Sequence, residues 1–476
     1  MKKIHKKTKI IATVGPSLST PQKLFQAIEN GVNVFRINFS HGSIVEHSKM
    51  ITMIREAAAR VDRPVGILAD LPGPKLRLGS FKVNEPVLLV RGETITLTTR
   101  NVPGDKDEIP VDYAKLPELV QKGDPILLAD GLMELEVLKS SAKDILCKIV
   151  VGGELRQRKG INLPGKYIPI SPFTAHDRQI LKDVAKLDID FVALSFIQKP
   201  EDIFTARKWM KKHGRVLPIV AKIEKPQAIK EIDAIIDATD AIMIARGDLG
   251  VEMPTSQVPV LQKKIIQLTT EKLTPVITAT QMLESMTFNP RPTRAETTDV
   301  ANAIWDGTDA VMLSGESAMG KFPIDSIKMM KSIIENAEAN PLFDVQFPIK
   351  KNKENDSNVI LRAAKVLAEH NQCKAIVVYT ESGKTATSLS KMRPILPFFA
   401  MTPKQSTYQR MSLIWGARTL LCQNGESVNH LIAIGDKILT KKTFLKKGDK
   451  VVVIAGTGLS SGATNMLKIH SIGGGD

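Results

Sequence analysis

Residues 219–248 read IVAKIEKPQAIKEIDAIIDATDAIMIARGD. Two short apolar runs, IVAKIE (219–224) and AIMIARGD (241–248), each end in a carboxylate, Glu224 and Asp248. The stretch between them is helix-like. Apolar β-branched runs closed by polar or glycine positions suit strands of a parallel sheet, buried on both faces. Strand, helix and strand together make one βαβ unit.

The same rhythm continues outward in both directions. Similar runs occur at IIATVG (10–15), VFRINFSHG (34–42), VGILADLPG (65–73), FVALSF (191–196), PVITATQ (275–281) and AVMLSGE (310–316). Helix-like PQKLFQAIENG follows IIATVG, and HDRQILKDVAKLD precedes FVALSF. With Ser195, Glu224, Asp248, Thr280 and Ser314 as strand-end markers, the steps are 29, 24, 32 and 34 residues, one βα unit each. Eight such strands predict a (β/α)8 TIM barrel, an α/β fold whose site lies at the C-terminal strand ends. Polar residues fall at those ends in run after run.

One step is too long. Asp70 to Ser195 spans 125 residues, where one βα unit needs roughly 30. The excess contains short strand-like runs, ETITLTT, DPILLADGLMELEVL and ILCKIVVGGEL, punctuated by Gly, Pro and Asp. It predicts a small inserted β-rich, barrel-like domain over 72–169. The catalytic barrel then occupies 1–71 and 170–345. Polar KKNKENDSN (350–358) reads as a linker. The helix candidate VILRAAKVLAEH and the strands AIVVY and KVVVIAG predict a C-terminal α/β domain over 346–476.

Composition bounds the function. A chain of 476 residues, 43% hydrophobic and 24% charged, is an ordinary globular protein of two to four domains. No apolar run reaches the roughly 18 residues of a membrane span. The basic start MKKIHKKTKI lacks the apolar segment of a secretory signal. Three scattered cysteines, Cys147, Cys373 and Cys422, fit neither a disulfide framework nor a zinc site, and suggest a reducing cytoplasm. The 66 basic and 50 acidic residues leave +16. Aromatics at 5% give no stacking platform for single-stranded nucleic acid, so most of this charge is read as solvated surface.

Chemistry concentrates at the strand ends. Glu224 and Asp248, on adjacent strands, can share a Mg²⁺, which prefers oxygen ligands and retains water or substrate oxygens. Lys222 adds a fixed positive charge. A plain salt bridge between Lys222 and Glu224 would use the same residues, although Gly247 and Gly250 favour close approach of a ligand. Arg36-Ile-Asn38-Phe-Ser40-His41 offers a cation for phosphate or carboxylate; alternatively, Ser40 and His41 serve as a helix N-cap. Asp70-Leu71-Pro-Gly-Pro-Lys75-Leu-Arg77 and Arg158-Lys159-Gly160 bound the insert. Cations at both hinges suit a lid closing over polyphosphate. Thr280 could hydrogen-bond a reacting group. Met282 and Met286 read as packing residues, and Arg291 and Arg294 as projecting from a surface loop that enters a helix. Thr380-Glu-Ser382-Gly383-Lys384-Thr385 follows a strand and opens a helix. That makes either a phosphate cradle or a capped turn, without Walker spacing.

RINFSHG, AKIE, ARGDLGVE, ATQMLESM, NPRPTRAE and SGE-A-GK-P, in this order, resemble the pyruvate kinase family from Thr8 to about Gly473. The resemblance implies transfer of the phosphoryl group of phosphoenolpyruvate to ADP, giving pyruvate and ATP. It implies that Arg36 binds the transferring phosphate and that Glu224 and Asp248 hold Mg²⁺, with Mn²⁺ an alternative. The backbone at Gly247 and Asp248 would receive the substrate carboxylate. Lys222 would stabilise phosphoryl and enolate charge, and Thr280 would stand near the face where the enolate is protonated. Asn38, His41, Arg77 and Lys159 would contact the nucleotide. Arg294 would lie at a subunit contact. Asn38, Ser40, Asp70 and the Leu71 carbonyl match the family's K⁺ ligands. Many members carry an acidic residue where this chain has Lys75, so a lysine ammonium substituting for K⁺ is expected. Residues 380–385 match an effector loop for a phosphorylated ligand. A cytoplasmic homotetramer, with no nucleic-acid or membrane partner, is also implied. Two other readings remain: a different metal-dependent enzyme acting on a pyruvate enolate, which needs no lid, and a basic binding protein, which needs no Lys222.

Overall fold

The computed structural model describes residues 6–340, 356–456 and 464–474. Eight parallel strands close into a barrel: β1 (Lys9–Thr13), β2 (Val32–Asn38), β3 (Gly66–Asp70), and, after an insertion, β12 (Phe191–Leu194), β13 (Ile219–Ile223), β14 (Ala241–Ala245), β15 (Val276–Ala279) and β16 (Ala310–Leu313). Each coincides with one of the eight apolar runs. Each lies next to its chain neighbour, and β16 closes on β1. Parallel register sets all the C-terminal ends at one mouth. Asn38 pairs with Asp70, Ala193 with Asp70, and Leu194 with Ala221.

The strands are buried on both faces because two apolar layers sandwich them. One layer packs them against the surrounding helices. The other fills the barrel's interior with Ile11, Val34, Leu68, Phe191, Val220, Met243, Ile277 and Met312. The linking helices have explicit caps. Thr20 accepts from the Lys23 N–H, and Thr174 forms a capping box with Asp177.

Between β3 and β12 the chain builds β4 (Val87–Leu89), β5 (Thr94–Thr98), β6 (Glu108–Pro110), β7 (Pro125–Leu128), β8 (Met133–Ser140), β9 (Asp144–Val151), β10 (Gly153–Leu155) and β11 (Ile161–Asn162). They form a six-stranded and a two-stranded sheet around a separate apolar core. Alternation is plain in β8 from Met133 to Val137 and in β9 from Ile145 to Ile149, where every second residue is buried.

The C-terminal part is a five-stranded sheet of β17 (Ala375–Tyr379), β18 (Phe398–Thr402), β19 (Ala417–Leu421), β20 (Lys450–Ala455) and β21 (Met466–Ser471), antiparallel only at β21. Apolar clusters cover both its faces. The helix candidate from the sequence is the helix Asp356–His370. Most of the expected linker at 350–358 lies outside the described residues.

Leu413 belongs to the C-terminal part but is buried in the barrel's interior cluster. Its neighbour Ser412 lies against Gly66 of β3. The C-terminal part therefore plugs one end of the barrel. Leu413→Ala is expected to cost about 2–5 kcal/mol, as buried leucine truncations do; denaturant unfolding followed by far-ultraviolet dichroism measures it.

Candidate active site

Five strand ends bring their polar residues together at the barrel mouth. Lys222 of β13 is the hub. Its ammonium donates to Ser195 Oγ at 2.7 Å, contacts Glu224 Oε1 at 2.8 Å and lies 3.5 Å from Asp70 Oδ1. Ser195 Oγ in turn donates a hydrogen bond to the Leu71 carbonyl at 2.8 Å. Arg36 of β2 donates through Nε to Asp70 Oδ2 at 2.6 Å and through Nη1 to Thr13 Oγ1 at 3.1 Å. Glu224 is fully buried, and its Oε2 accepts the Phe196 N–H at 2.6 Å.

Burial would depress the Lys222 pKa, but Asp70, Glu224 and Asp248 outweigh it and hold the ammonium above its ordinary 10.5. The stability it contributes is complete below 10.5 and is lost only as pH rises through the higher folded value. Burial would raise the Asp70 carboxyl; Lys222 and then Arg36 reverse this and hold it below its ordinary value. Burial raises Glu224, and the Asp248 charge adds to the rise against the opposing pull of Lys222.

Glu224 Oε1 and Asp70 Oδ1 are buried without a hydrogen bond. Each nonetheless faces the Lys222 ammonium at ion-pair distance. Glu224 Oε1 is thus a buried oxygen whose partner is the Lys222 ammonium. Asp248 is the third residue of the helix Arg246–Glu252, which starts directly after β14. No group of three or more His, Cys, Asp or Glu side chains is arranged to hold a metal among the described residues. Two carboxylates, Glu224 and Asp248, are the residues that could hold a divalent cation whose other positions would be filled by substrate oxygens or water.

Thr280 lies directly after β15 with φ of 68°, and Gln281 follows at 54°. A β-branched residue in the left-handed region is strained. The strain is held by contacts: Thr280 Oγ1 donates to the Ala279 carbonyl at 2.6 Å and accepts the Gly247 N–H at 2.7 Å. Arg246 clamps the same turn, donating to the Thr280 carbonyl at 2.8 Å and to both oxygens of Asp299 at 2.8 and 2.7 Å. The Gly247 N–H is engaged with Thr280, and Gly250 lies inside the helix with ordinary contacts.

The expected N-cap role of Ser40 and His41 belongs instead to Ser43, which forms a capping box with Glu46 at the helix Ile44–Val61. The cap falls there because Glu46 stands three residues on, placed to reach back to the Ser43 N–H. Asn38 Oδ1 accepts the Ser40 N–H at 3.1 Å, and His41 is exposed. Arg77 and Lys159 come together at the insert's stem. Arg77 bridges Gly160 in antiparallel fashion and donates to the Arg158 carbonyl at 3.1 Å, and Leu78 N–H donates to the Lys159 carbonyl at 2.9 Å. Lys75 faces the insert, 2.7 Å from Asp130. Its stem lies on Gly160, where a Cβ would stand 2.5 Å from Lys75 Cε. In the C-terminal part, Thr380 Oγ1 accepts the Gly383 N–H at 3.0 Å and Thr385 meets Thr464 at 2.8 Å. Ser382 and Lys384 are exposed, and Gly383 (φ 88°) packs on Met411. Met282 and Met286 are buried packing residues, and Arg294 opens the helix Arg294–Trp305 behind the Thr293 cap.

The family model for the pyruvate kinase barrel domain matches residues 5–327, and that for its alpha/beta domain matches 358–470. The chain belongs to the pyruvate kinase family. The pyruvate kinase of Corynebacterium glutamicum is 39% identical over 471 residues, covering 99% of this chain and 98% of that protein. The pyruvate kinase of Thermotoga maritima is 39% identical over 465 residues, covering 98% and 99%. A solved pyruvate kinase structure from Cryptosporidium parvum superposes with a TM-score of 0.90 at 35% identity, covering 98% of this chain and 96% of that one. The fold is a pyruvate kinase fold and the chain is a phosphotransferase, rather than a different enzyme acting on a pyruvate enolate or a non-enzymatic binding protein.

Ser195 and Arg246 were missed as site residues from the sequence, Ser195 having counted only as a strand-end marker. Its position after an apolar run, like that of Glu224, was the available signal.

Because the folded chain holds the Glu224 proton more tightly than a free carboxylate, protons compete for it above its ordinary 4.5. Mn²⁺ affinity, followed by electron paramagnetic resonance, is expected to weaken as pH falls while still above that value. Affinity independent of pH down to 4.5 contradicts the raised value.

Proposed function

We propose that the barrel mouth transfers the phosphoryl group of phosphoenolpyruvate to ADP through Lys222, Arg36, Thr280 and a divalent cation held by Glu224 and Asp248. The observation that carries this reading is the Lys222 ammonium, buried among Asp70, Glu224 and Ser195 with its charge secured by the carboxylates. Transfer through a loose transition state needs charge placed in advance more than covalent chemistry. A cation that cannot lose its proton at neutral pH meets that need.

Arg36 sits beside Lys222 with its Nε on Asp70, which orients the guanidinium for a phosphate. Bound Mg²⁺ or Mn²⁺ would supply a Lewis-acid charge that polarises phosphoryl oxygens. The start of the helix Arg246–Glu252, at Gly247 and Asp248, would receive the substrate carboxylate once Thr280 yields its contact with the Gly247 N–H. Thr280 Oγ1, whose proton rests on the Ala279 carbonyl, would then stand ready to relay a proton to the enolate. Asn38, His41, Arg77 and Lys159 take the nucleotide, the last two from the stem of the insert acting as a lid.

A coupled assay for ATP formation from phosphoenolpyruvate and ADP tests the reaction. Lys222→Met is expected to lower kcat about 10²- to 10³-fold, as loss of a charge-stabilising donor does, with a smaller change in KM for phosphoenolpyruvate. Equal changes in both parameters contradict the role, and the thermal midpoint, measured alongside, separates loss of chemistry from loss of fold.

The chain is further read as independent of K⁺. Three of the four oxygens that match K⁺ ligands already have donors from the protein: Asp70 Oδ2 from Arg36, Asn38 Oδ1 from the Ser40 N–H, and the Leu71 carbonyl from Ser195. Lys75 brings a further ammonium, shared with Asp130. Rates in Na⁺, in K⁺ and in neither are expected to agree; a many-fold activation by K⁺ contradicts this. The loop 380–385 is read as the site of a phosphorylated effector, and the assembly as a homotetramer with Arg294 near a subunit contact. No helix among the described residues is long and apolar enough to cross a membrane; placement in the cytoplasm accords with the glycolytic reaction and with three buried free cysteines.

A further inference from the structure

Lys225 directly follows Glu224, and Glu252 closes the helix that carries Asp248, one turn further along the same face. Their side chains form an ion pair, Lys225 Nζ to Glu252 Oε1 at 2.6 Å, with only 9% and 1% of the side chains exposed. The same Oε1 accepts Asn162 Nδ2 at 2.8 Å. Asn162 ends β11 of the insert, three residues beyond Lys159. Lys225 also stands 5.7 Å over the ring of Phe196, whose N–H holds Glu224 Oε2. A chain of contacts thus runs from Glu224 through Phe196 and Lys225 to Glu252, in the helix that carries Asp248, with the insert attached through Asn162.

The pair is poorly designed for stability alone. Glu252 Oε2 is buried with no hydrogen bond, and so is Asn162 Oδ1. A buried ion pair with bare oxygens gains little over apolar residues of the same size. Its geometry instead ties the two strand ends that carry the carboxylates to each other and to the stem of the insert. The seam beside it is lined by Lys75, Leu76 and Asn162 of the insert and by Phe196, Gln198 and Lys225 of the barrel, so the two parts meet at this point.

We propose that Lys225 and Glu252 are positioning residues of the phosphoryl transfer: their buried ion pair sets the spacing of Glu224 and Asp248, and through Asn162 it seats the insert so that Lys159 faces the nucleotide. This rests on the reading of Glu224 and Asp248 as the divalent-cation pair. Outer-shell partners of this kind orient ligands they do not replace.

The test uses the full chain and Mn²⁺ alone as probe, read by electron paramagnetic resonance. The double variant Lys225→Met with Glu252→Gln removes both charges, preserves volume and leaves an acceptor for Asn162. It is expected to keep a thermal midpoint close to that of the parent while losing about 10- to 100-fold in Mn²⁺ affinity; Lys225→Arg, which keeps the pair, retains most of it. Parent-like Mn²⁺ affinity in the double variant overturns the inference. Asn162→Ala leaves the ion pair intact and decides the second half even if the double variant fails to fold. Its KM for ADP is expected to rise about tenfold, the usual scale for losing a hydrogen bond to a charged group, with Mn²⁺ affinity and KM for phosphoenolpyruvate unchanged. An unchanged KM for ADP overturns the seating role. Glu224→Gln separates the two levels: if it binds Mn²⁺ as the parent does, the cation reading itself fails, whereas loss there with none in the double variant removes only the inference.

Discussion

Opposite charges buried together at one end of a parallel barrel are the constraint on which this molecule turns. Asp70 and Glu224 cannot be stripped of water alone, because an isolated buried carboxylate is far costlier than a paired one. Arg36 and Lys222 compensate them, and Lys222 is shared between both. The cluster exists only because β2, β3, β12 and β13 end at the same level. Parallel register provides that, since each strand starts from the same side of the barrel and returns through a helix. The result is a lysine held charged, an arginine held in place and a glutamate fixed between Lys222 and the Phe196 N–H.

The insert contributes its own core and an unusual pair of hinges. Its two connections to the barrel pair with each other at Arg77 and Gly160, which joins them into one stem. Lys75 with Asp130 braces the stem within the insert, and Asn162 with Glu252 fastens it to the mouth. Low dielectric then strengthens each charge already in place.

The far end of the barrel is joined to the C-terminal part just as closely. Leu413 enters the interior cluster, and Met411, two residues earlier, packs on Gly383 in the loop 380–385. Lys391 and Arg393 meet Asp309, which begins the turn into β16, in a buried ion pair of 2.7 and 3.0 Å. The C-terminal part therefore contributes a residue, Leu413, to the interior cluster of the barrel while keeping cores of its own.

Much of this was legible in the residues alone. Eight apolar runs of four to seven residues, spaced by one helix each, leave few alternatives to a barrel, because a run buried on both faces must be apolar throughout. The excess between Asp70 and Ser195 marked the insert for the same reason: no single helix needs so many residues. Glu224, Asp248, Lys222 and Arg36 stood out because polar residues closing an apolar strand must emerge at the mouth. Partnership was another matter. That Arg36 is held by Asp70, that Ser195 links Lys222 to the Leu71 carbonyl, that Ser43 rather than Ser40 caps its helix, and that Thr280 adopts a left-handed turn all depend on which strand ends face one another. Sequence spacing orders residues along one strand or helix. Contacts between elements distant in the chain arise only when the barrel closes, so the pairing of charges, unlike their presence, was decided by the tertiary structure.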